Sequence, residues 1–525
     1  MSIWRVKPIS AFEADMKKST LKRVLGKWSL TAIGVGAIIG GGIFVLTGTG
    51  AYYHAGPALA ISFIIAGIAC VFAALCYSEF ASILPVEGSA YAYAYGTIGE
   101  IFAWIIGWGL ILEYAMGSMT VAVSWSGYFN KLLKIFHLEL PYWMTTDPGT
   151  ANKAFGEASS QIASGTLTED KLTSFQEIVN NFNSAPEIFN FKIFMNLPAF
   201  LIVLLVISIL IKGTQSAAKA NNLIVLLKVS AVLFVIIAGA FFIDVDNWSP
   251  FIPEATQIVE KDSTHNAYGL AGIVSGAAAI FFAYVGFDAV STQAGEAINP
   301  KKDVPFAIIA SLLICTTLYI LVSLVLTGMM NYQDFNPLGK YPDAIKAPVA
   351  YAFDIAGQGW AGLIITIAAT VGLVSVLMVM IMGQSRIFLG MSKDGLIPQV
   401  FSRVNPISGT PQTNLMILGG IIAVVAAFTP INELADMTSF GTLFAFTMVC
   451  IAVWILRVKQ PNLVRTFKVP ALPVIAVLGI LINTYLMVNL SYKAQIFSGV
   501  WLLIGVLVYF GYSKSRSKLN NENQE

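Results

Sequence analysis

Apolar residues run almost uninterrupted through most of this chain, and polar ones gather in short connecting stretches. Charge-free windows long enough to cross a bilayer, which takes about 20 residues, cover 28–78, 263–287, 304–333, 355–385, 404–432, 437–456, 469–492 and 494–513. The first window holds two helices, separated near 50–57. Three more segments, 101–130 with one Glu, 193–211, and 220–243 with one Lys, complete the pattern. It predicts an all-α, polytopic membrane protein of twelve spans: 29–49, 57–82, 99–131, 195–212, 219–243, 268–295, 304–330, 348–390, 412–430, 436–457, 471–490 and 494–512. Spans 3, 6 and 8 are longer than a simple crossing, which tilt, breaks or extra turns accommodate. The polar stretch 137–194 between spans 3 and 4 reads as a surface cap or a partly disordered insertion.

Composition agrees with the pattern. Only 11% of the 525 residues are charged, against about 25% in soluble proteins, and the mean hydropathy is +0.74. A soluble enzyme, a secreted disulfide scaffold and a disordered chain are poor readings of such numbers. The net charge of +2 makes no electrostatic case for nucleic acid. Cys70, Cys76, Cys315 and Cys450 sit in apolar stretches without a C-x-x-C pair, so they read as small buried hydrophobes. His54, His137 and His265 lie in or beside polar connections. No metal, cofactor or catalytic cluster is expected at membrane depth, and no enzyme.

Charge position sets the orientation. With the N-terminus inside, 21 of the 31 Lys and Arg fall on the cytoplasmic side and nine outside, and Lys228 alone is left in the hydrocarbon core. Both termini are therefore expected in the cytoplasm, the protein in the cell membrane, and no cleavable signal is evident.

Two spans carry signs of a break. Span 1 reads Ile38-Ile39-Gly40-Gly41-Gly42-Ile43, and each glycine costs a helix roughly 1 kcal/mol relative to alanine. Spaced glycines serve close packing, whereas a run of three favours broken backbone facing a cavity, the setting where it is tolerated at this depth. Span 6 contains Phe281-Phe282-Ala283-Tyr284-Val285-Gly286-Phe287-Asp288. A helix could stop near Tyr284 and restart with Asp288 at its N-cap, and Phe281, Phe282, Tyr284 and Phe287 are placed to line a cavity. Spans 1 and 6 are five apart, an odd offset that inverts topology, as an inverted-repeat transporter requires.

Charges inside spans are functional by default. Lys228 lies roughly 15 Å into predicted span 5 at 1.5 Å per residue, where an amine that titrates could carry a coupling proton and one that does not could hold helix-end carbonyls. Glu113, near the middle of span 3, could face substrate, pair with a cation or take up a proton. Glu79, near the inner end of span 2, is explained by a headgroup or loop contact.

With these residues the sequence resembles the amino acid, polyamine and organocation superfamily, and within it the cationic amino acid transporter family of bacterial type. Matching positions run from Gly36 to Phe44, through Tyr77-Ser78-Glu79-Phe80-Ala81, Pro85, Gly88-Ser89-Ala90-Tyr91, Gly107-Trp108 and Leu112-Glu113-Tyr114. They continue through Lys228, Phe281 to Asp288, Asn299-Pro300, Arg386, Asp394-Gly395, Gly441-Thr442-Leu443 and Phe467-Lys468-Val469-Pro470. The resemblance implies a 5+5 inverted repeat, 29–243 and 268–457, followed by two extra helices in 471–512, with terminal segments 1–28 and 513–525 in the cytoplasm. It implies that Ile38, Ile39, Gly40, Gly41 and Gly42 hold a substrate carboxylate, that carbonyls of Phe281, Phe282, Ala283 and Tyr284 receive the α-amino group, and that Lys228 stands where relatives bind sodium. Gly109 and Gly295 replace acids common in relatives, and Met380 replaces a small residue, shortening the pocket and weakening the case for a cationic substrate.

The expectation is a proton-coupled importer of small or medium neutral L-amino acids. An exchanger or uniporter for cationic amino acids and a membrane nutrient sensor are the alternatives. The expected partners are the amino acid, a proton and the lipid bilayer, and a small single-span membrane partner is left open.

Overall fold

The computed structural model describes residues 5–8, 11–12, 23–84, 89–164, 169–189, 191–260, 263–336, 340–341, 344–345 and 347–520. Pro85 and Gly88 of the matched motifs, and parts of the terminal segments 1–28 and 513–525, lie outside them.

Among the described residues the chain is helical almost throughout. Span 1 comes in two pieces, Lys27–Ile38 and, beyond Gly40, Gly41–Phe44 continuing through Leu46–Gly50 and Ala51–Ala55. Span 2 is Leu59–Ile83, span 3 Glu100–Ile135, span 4 Leu197–Ile211 and span 5 Thr214–Gly239. Span 6 is Gly269–Ala279, a tighter turn Ile280–Tyr284, and a short restart Ala289–Thr292. Spans 7 to 12 are Pro300–Met329, Gly359–Lys393, Gln412–Phe428, Ile431–Lys459, Leu472–Val488 and Tyr492–Val508. Among the described residues, eight helical segments are long and apolar enough to cross a membrane, and spans 4, 9 and 11 are shorter apolar helices.

The outer surface carries many large apolar side chains over an interior that is also largely apolar. Span 5 turns Leu223, Leu226 and Ile237 outward, 70%, 66% and 63% exposed, while Lys228 is fully buried. Such a face is stable only where the surrounding solvent is hydrocarbon, since in water each side chain would forgo about 1.5–3 kcal/mol of burial. The chain is a multi-pass membrane protein. Spans 1, 6 and 8 sit at the centre: span 8 packs on spans 3 and 5, span 7 on spans 1 and 2, and span 10 on span 3.

The first and last described residues meet on one side of the bundle, the terminal face. Arg5 bonds Asn520 and reaches Glu100 at 3.3 Å, Ser517 Oγ donates to Glu100 at 2.5 Å, and Lys7 Nζ pairs with Asp394 at 2.6 Å. Glu79 is buried on the same side, held by Arg457 and Arg465 and by the backbone N–H of Val469, the loop contact expected for it.

Two expectations change. The segment 348–390 is two helices, Pro348–Ile355 and Gly359–Lys393, because the chain turns at Gly357, whose φ of +74° suits glycine. The stretch 137–194 contains helices Pro148–Ser164 and Glu169–Asn183. Their few apolar residues recur at helical spacing, and Phe182 stacks between Phe155 at 4.2 Å and Phe194 at 5.1 Å. That cluster is a small core separate from the membrane bundle.

Candidate functional site

The first piece of span 1 ends at Ile38, and Ile39 and Gly40 leave helical geometry, with ψ of 99° and −141°. A helix that stops in hydrocarbon leaves carbonyls without intrahelical partners, and here side chains from three other spans take them. Lys228 Nζ of span 5 donates to Gly36 O at 2.5 Å, Ile39 O at 2.7 Å and Ser375 Oγ of span 8 at 2.7 Å. All three ammonium protons therefore have an acceptor, and the positive charge faces the negative end of the helix dipole. The Tyr319 hydroxyl of span 7 lies 2.6 Å from Ile38 O and 2.9 Å from Ala283 O, so one proton bridges the broken stretches of spans 1 and 6.

Past the break, the N–H groups of Gly41, Gly42 and Ile43 begin a new helical run, and the first returning bond is from Phe44 N to Gly40 O at 3.5 Å. Unclaimed N–H groups at such an end suit an anion. Opposite them, span 6 unwinds at Val285 and Gly286, the latter at φ +118°, and Tyr284 anchors its hydroxyl on Phe63 O at 2.7 Å. The breaks touch. A Cβ placed on Gly42 would lie 2.3 Å from Ala283 Cβ and 2.4 Å from Ala283 Cα.

A small cavity lies between them. Span 1 contributes Ala37, Ile38, Gly40, Gly41 and Gly42 to its wall, facing Phe282 and Val285 of span 6, Val376 and Met380 of span 8, and Gly117 and Val121 of span 3. Every side chain in that wall is apolar, so its polarity comes from backbone. The cavity has a volume of about 10 Å³, room for about one water molecule. A larger ligand enters only if the surrounding spans move.

Of the residues singled out in the sequence, Ile38, Gly40, Gly41, Gly42, Phe282 and Met380 line this cavity. Ile39 and Ala283 stand at its edge and use their carbonyls toward Lys228 and Tyr319. Phe281 and Phe287 point elsewhere, packing on Phe446 at 6.1 and 4.8 Å. Glu113 lies off the wall, buried beside Gly441 and Thr442 of span 10. Asp288 precedes the restart Ala289–Thr292 but does not cap it. Its backbone is already helical, at φ −66° and ψ −26°, whereas a capping side chain needs extended backbone to turn toward the following N–H groups. Its Oδ2 instead accepts from Tyr114 Oη at 2.6 Å. Glu113 and Asp288 are both buried and neither lines the cavity; Tyr114, next to Glu113 in the chain, is the residue that bonds Asp288.

Tyr319 and Ser375 were not singled out by the sequence. The only sign of Tyr319 is a tyrosine amid the apolar residues of span 7, and Ser375 leaves almost none, because a hydroxyl in a helix satisfies itself on the preceding turn, as Ser375 Oγ does with Gly372 O at 2.9 Å.

Comparison with known proteins places this geometry in context. The family described as amino acid permease matches residues 25–512. The chain is 41% identical to the branched-chain amino acid permease BcaP of Bacillus subtilis (strain 168), over 99% of both chains. It is 39% identical to the methylthioribose transporter of the same organism, again over 99% of both. It is 36% identical to cationic amino acid transporter 3, mitochondrial, of Arabidopsis thaliana, over 82% of this chain and 62% of that one.

Proposed function

Because the chain belongs to the amino acid permease family, and is a transporter rather than an enzyme, we propose that it imports neutral aliphatic L-amino acids, branched-chain ones foremost, together with a proton and by alternating access. The observation that carries this reading is the wholly apolar wall set between two backbone breaks. A zwitterion has one anionic and one cationic end, and the breaks offer one group for each. The α-carboxylate takes the N–H groups of Gly41 and Gly42, and the α-ammonium takes carbonyls freed where span 6 unwinds. The side chain is left to Phe282, Val376 and Met380, which suit a branched aliphatic group.

Lys228 is the coupling group in this reading. Protonated, it holds the end of Lys27–Ile38 through Gly36 and Ile39. Once the proton leaves, that grip weakens and the first piece of span 1 is free to shift. The buried carboxylates Glu113 and Asp288 are a second place where a proton can be held. The terminal face, rich in Lys and Arg, is the cytoplasmic one, and the membrane is the cell membrane.

The relatives differ in cargo, and the wall discriminates among them. A guanidinium would need a carboxylate, and the hydroxyls of a methylthioribose would need polar side chains; the cavity wall supplies neither. In proteoliposomes, leucine, isoleucine and valine are expected to compete for labelled leucine, with arginine and methylthioribose inert at the same concentration. Stronger competition by either of those two would overturn the substrate assignment. Met380→Ser removes apolar contact with the cargo. At about 1–1.5 kcal/mol, leucine affinity should fall about tenfold while bulkier side chains compete better than in the parent; unchanged leucine affinity would place Met380 outside the site.

A further inference from the structure

Span 5 carries a second buried polar side chain on the face of Lys228. Asn221 stands seven residues earlier, two helical turns away, and is only 3% exposed. Among the described residues neither its Oδ1 nor its Nδ2 has a hydrogen-bond partner. The amide lies against Gly36 of span 1: a Cβ placed there would come 3.0 Å from Oδ1 and 3.2 Å from Nδ2. Gly36 is also a residue whose carbonyl accepts from Lys228. The neighbouring Asn222 Nδ2 lies 3.4 Å from Ser29 Oγ, near the start of span 1, in an exposed contact. Val225, on the same face of span 5, also touches Gly36 and separates Asn221 from the lysine by one apolar side chain.

A buried amide with both its donor and its acceptor unclaimed by protein is costly, and such groups are regularly satisfied by ordered water. We propose that Asn221 holds water beside Gly36, and that this water is the step through which Lys228 exchanges its proton with the terminal face. The inference rests on the reading of Lys228 as the coupling group. The ammonium gives a proton to water, keeping the electron pair on Nζ, and the resulting hydronium passes the proton toward the terminal face past Ser29. Asn221 itself never ionises. It is a positioning residue whose carbonyl accepts from the water and whose N–H groups donate to it. Val225 keeps this water from the lysine while the first piece of span 1 is seated, so proton release follows its displacement.

The full chain in proteoliposomes tests this with Asn221→Leu, close in size and apolar. Accumulation of leucine driven by a pH gradient requires one proton release per cycle, whereas exchange of labelled for unlabelled leucine lets the loaded carrier return with its proton. Accumulation is expected to fall about tenfold, with exchange held within about twofold, and Asn221→Ser is expected to recover most of the accumulation. Parallel loss of both modes, or no loss of either, overturns the proposal. Asn221→Val gives the same contrast if the leucine variant does not assemble. Lys228→Ala, measured alongside, separates the two possible failures. If it accumulates leucine like the parent, the coupling reading fails and this route with it. If it is silent while Asn221→Leu matches the parent, the Asn221 route alone fails.

Discussion

Gly42→Ala is expected to lower leucine uptake by at least about tenfold and up to about a hundredfold while the protein still folds. The reason is the contact between the two breaks. The new Cβ would lie 2.3 Å from Ala283 Cβ and 2.4 Å from Ala283 Cα, far inside van der Waals contact. The obstacle is backbone and a methyl rather than the tip of a flexible chain, so the broken stretches of spans 1 and 6 must part. Overpacking of this kind costs about 1–3 kcal/mol, and parting the stretches lengthens the bridge that Tyr319 makes between Ile38 and Ala283. Gly41→Ala is the control. Its nearest neighbour is Ser124 Oγ at 3.2 Å, a hydroxyl that can rotate aside, so uptake should stay within a few-fold of the parent. Initial uptake rates, with size-exclusion profiles to confirm assembly, check both. Equal effects at the two glycines would contradict the contact between the breaks.

Lys228→Ala is expected to abolish accumulation of leucine against its gradient. The variant removes the ammonium and leaves Gly36 O, Ile39 O and Ser375 Oγ without their donor at a depth where water is scarce. Hydrogen bonds to a charged group contribute about 1.5–3 kcal/mol each, so the seating of Lys27–Ile38 should loosen as well. The expected signature is therefore double: a lower unfolding temperature in detergent, and leucine entry that equilibrates without concentrating. A variant that concentrates leucine like the parent would remove Lys228 from the coupling step. One that is destabilised but still concentrates leucine would leave it a structural role only.

How much of this is legible in the sequence follows from what each feature costs. Charge in lipid is expensive, so Lys228 stands out among the 31 basic residues before any fold is known. A run of three glycines inside a span is also expensive, and the helix does stop beside it, at Ile38. Span 6 is less legible. Its α-helix ends at Ala279 and a tighter turn carries the helical run on to the expected stop at Tyr284, and no residue type announces that change of pitch. Which carbonyls the lysine takes cannot be read from sequence, since Gly36 O and Ile39 O are freed only once the helix breaks. Tyr319, Ser375 and Asn221 are neutral and common in helices, so little marks them until their surroundings in the fold are seen. The helices within 137–194 are obscured for another reason: their packing depends on rings brought together from far apart, Phe155, Phe182 and Phe194.

The central claim, a proton carried inward with a neutral amino acid, is tested most directly by recording lumenal pH in proteoliposomes loaded with a trapped pH-sensitive dye. With no pH gradient imposed and the membrane potential clamped, adding external leucine should acidify the lumen in the parent protein. The acidification should be absent when arginine replaces leucine, and absent in Lys228→Ala. Leucine entering the parent at full rate without any change in lumenal pH would contradict the account.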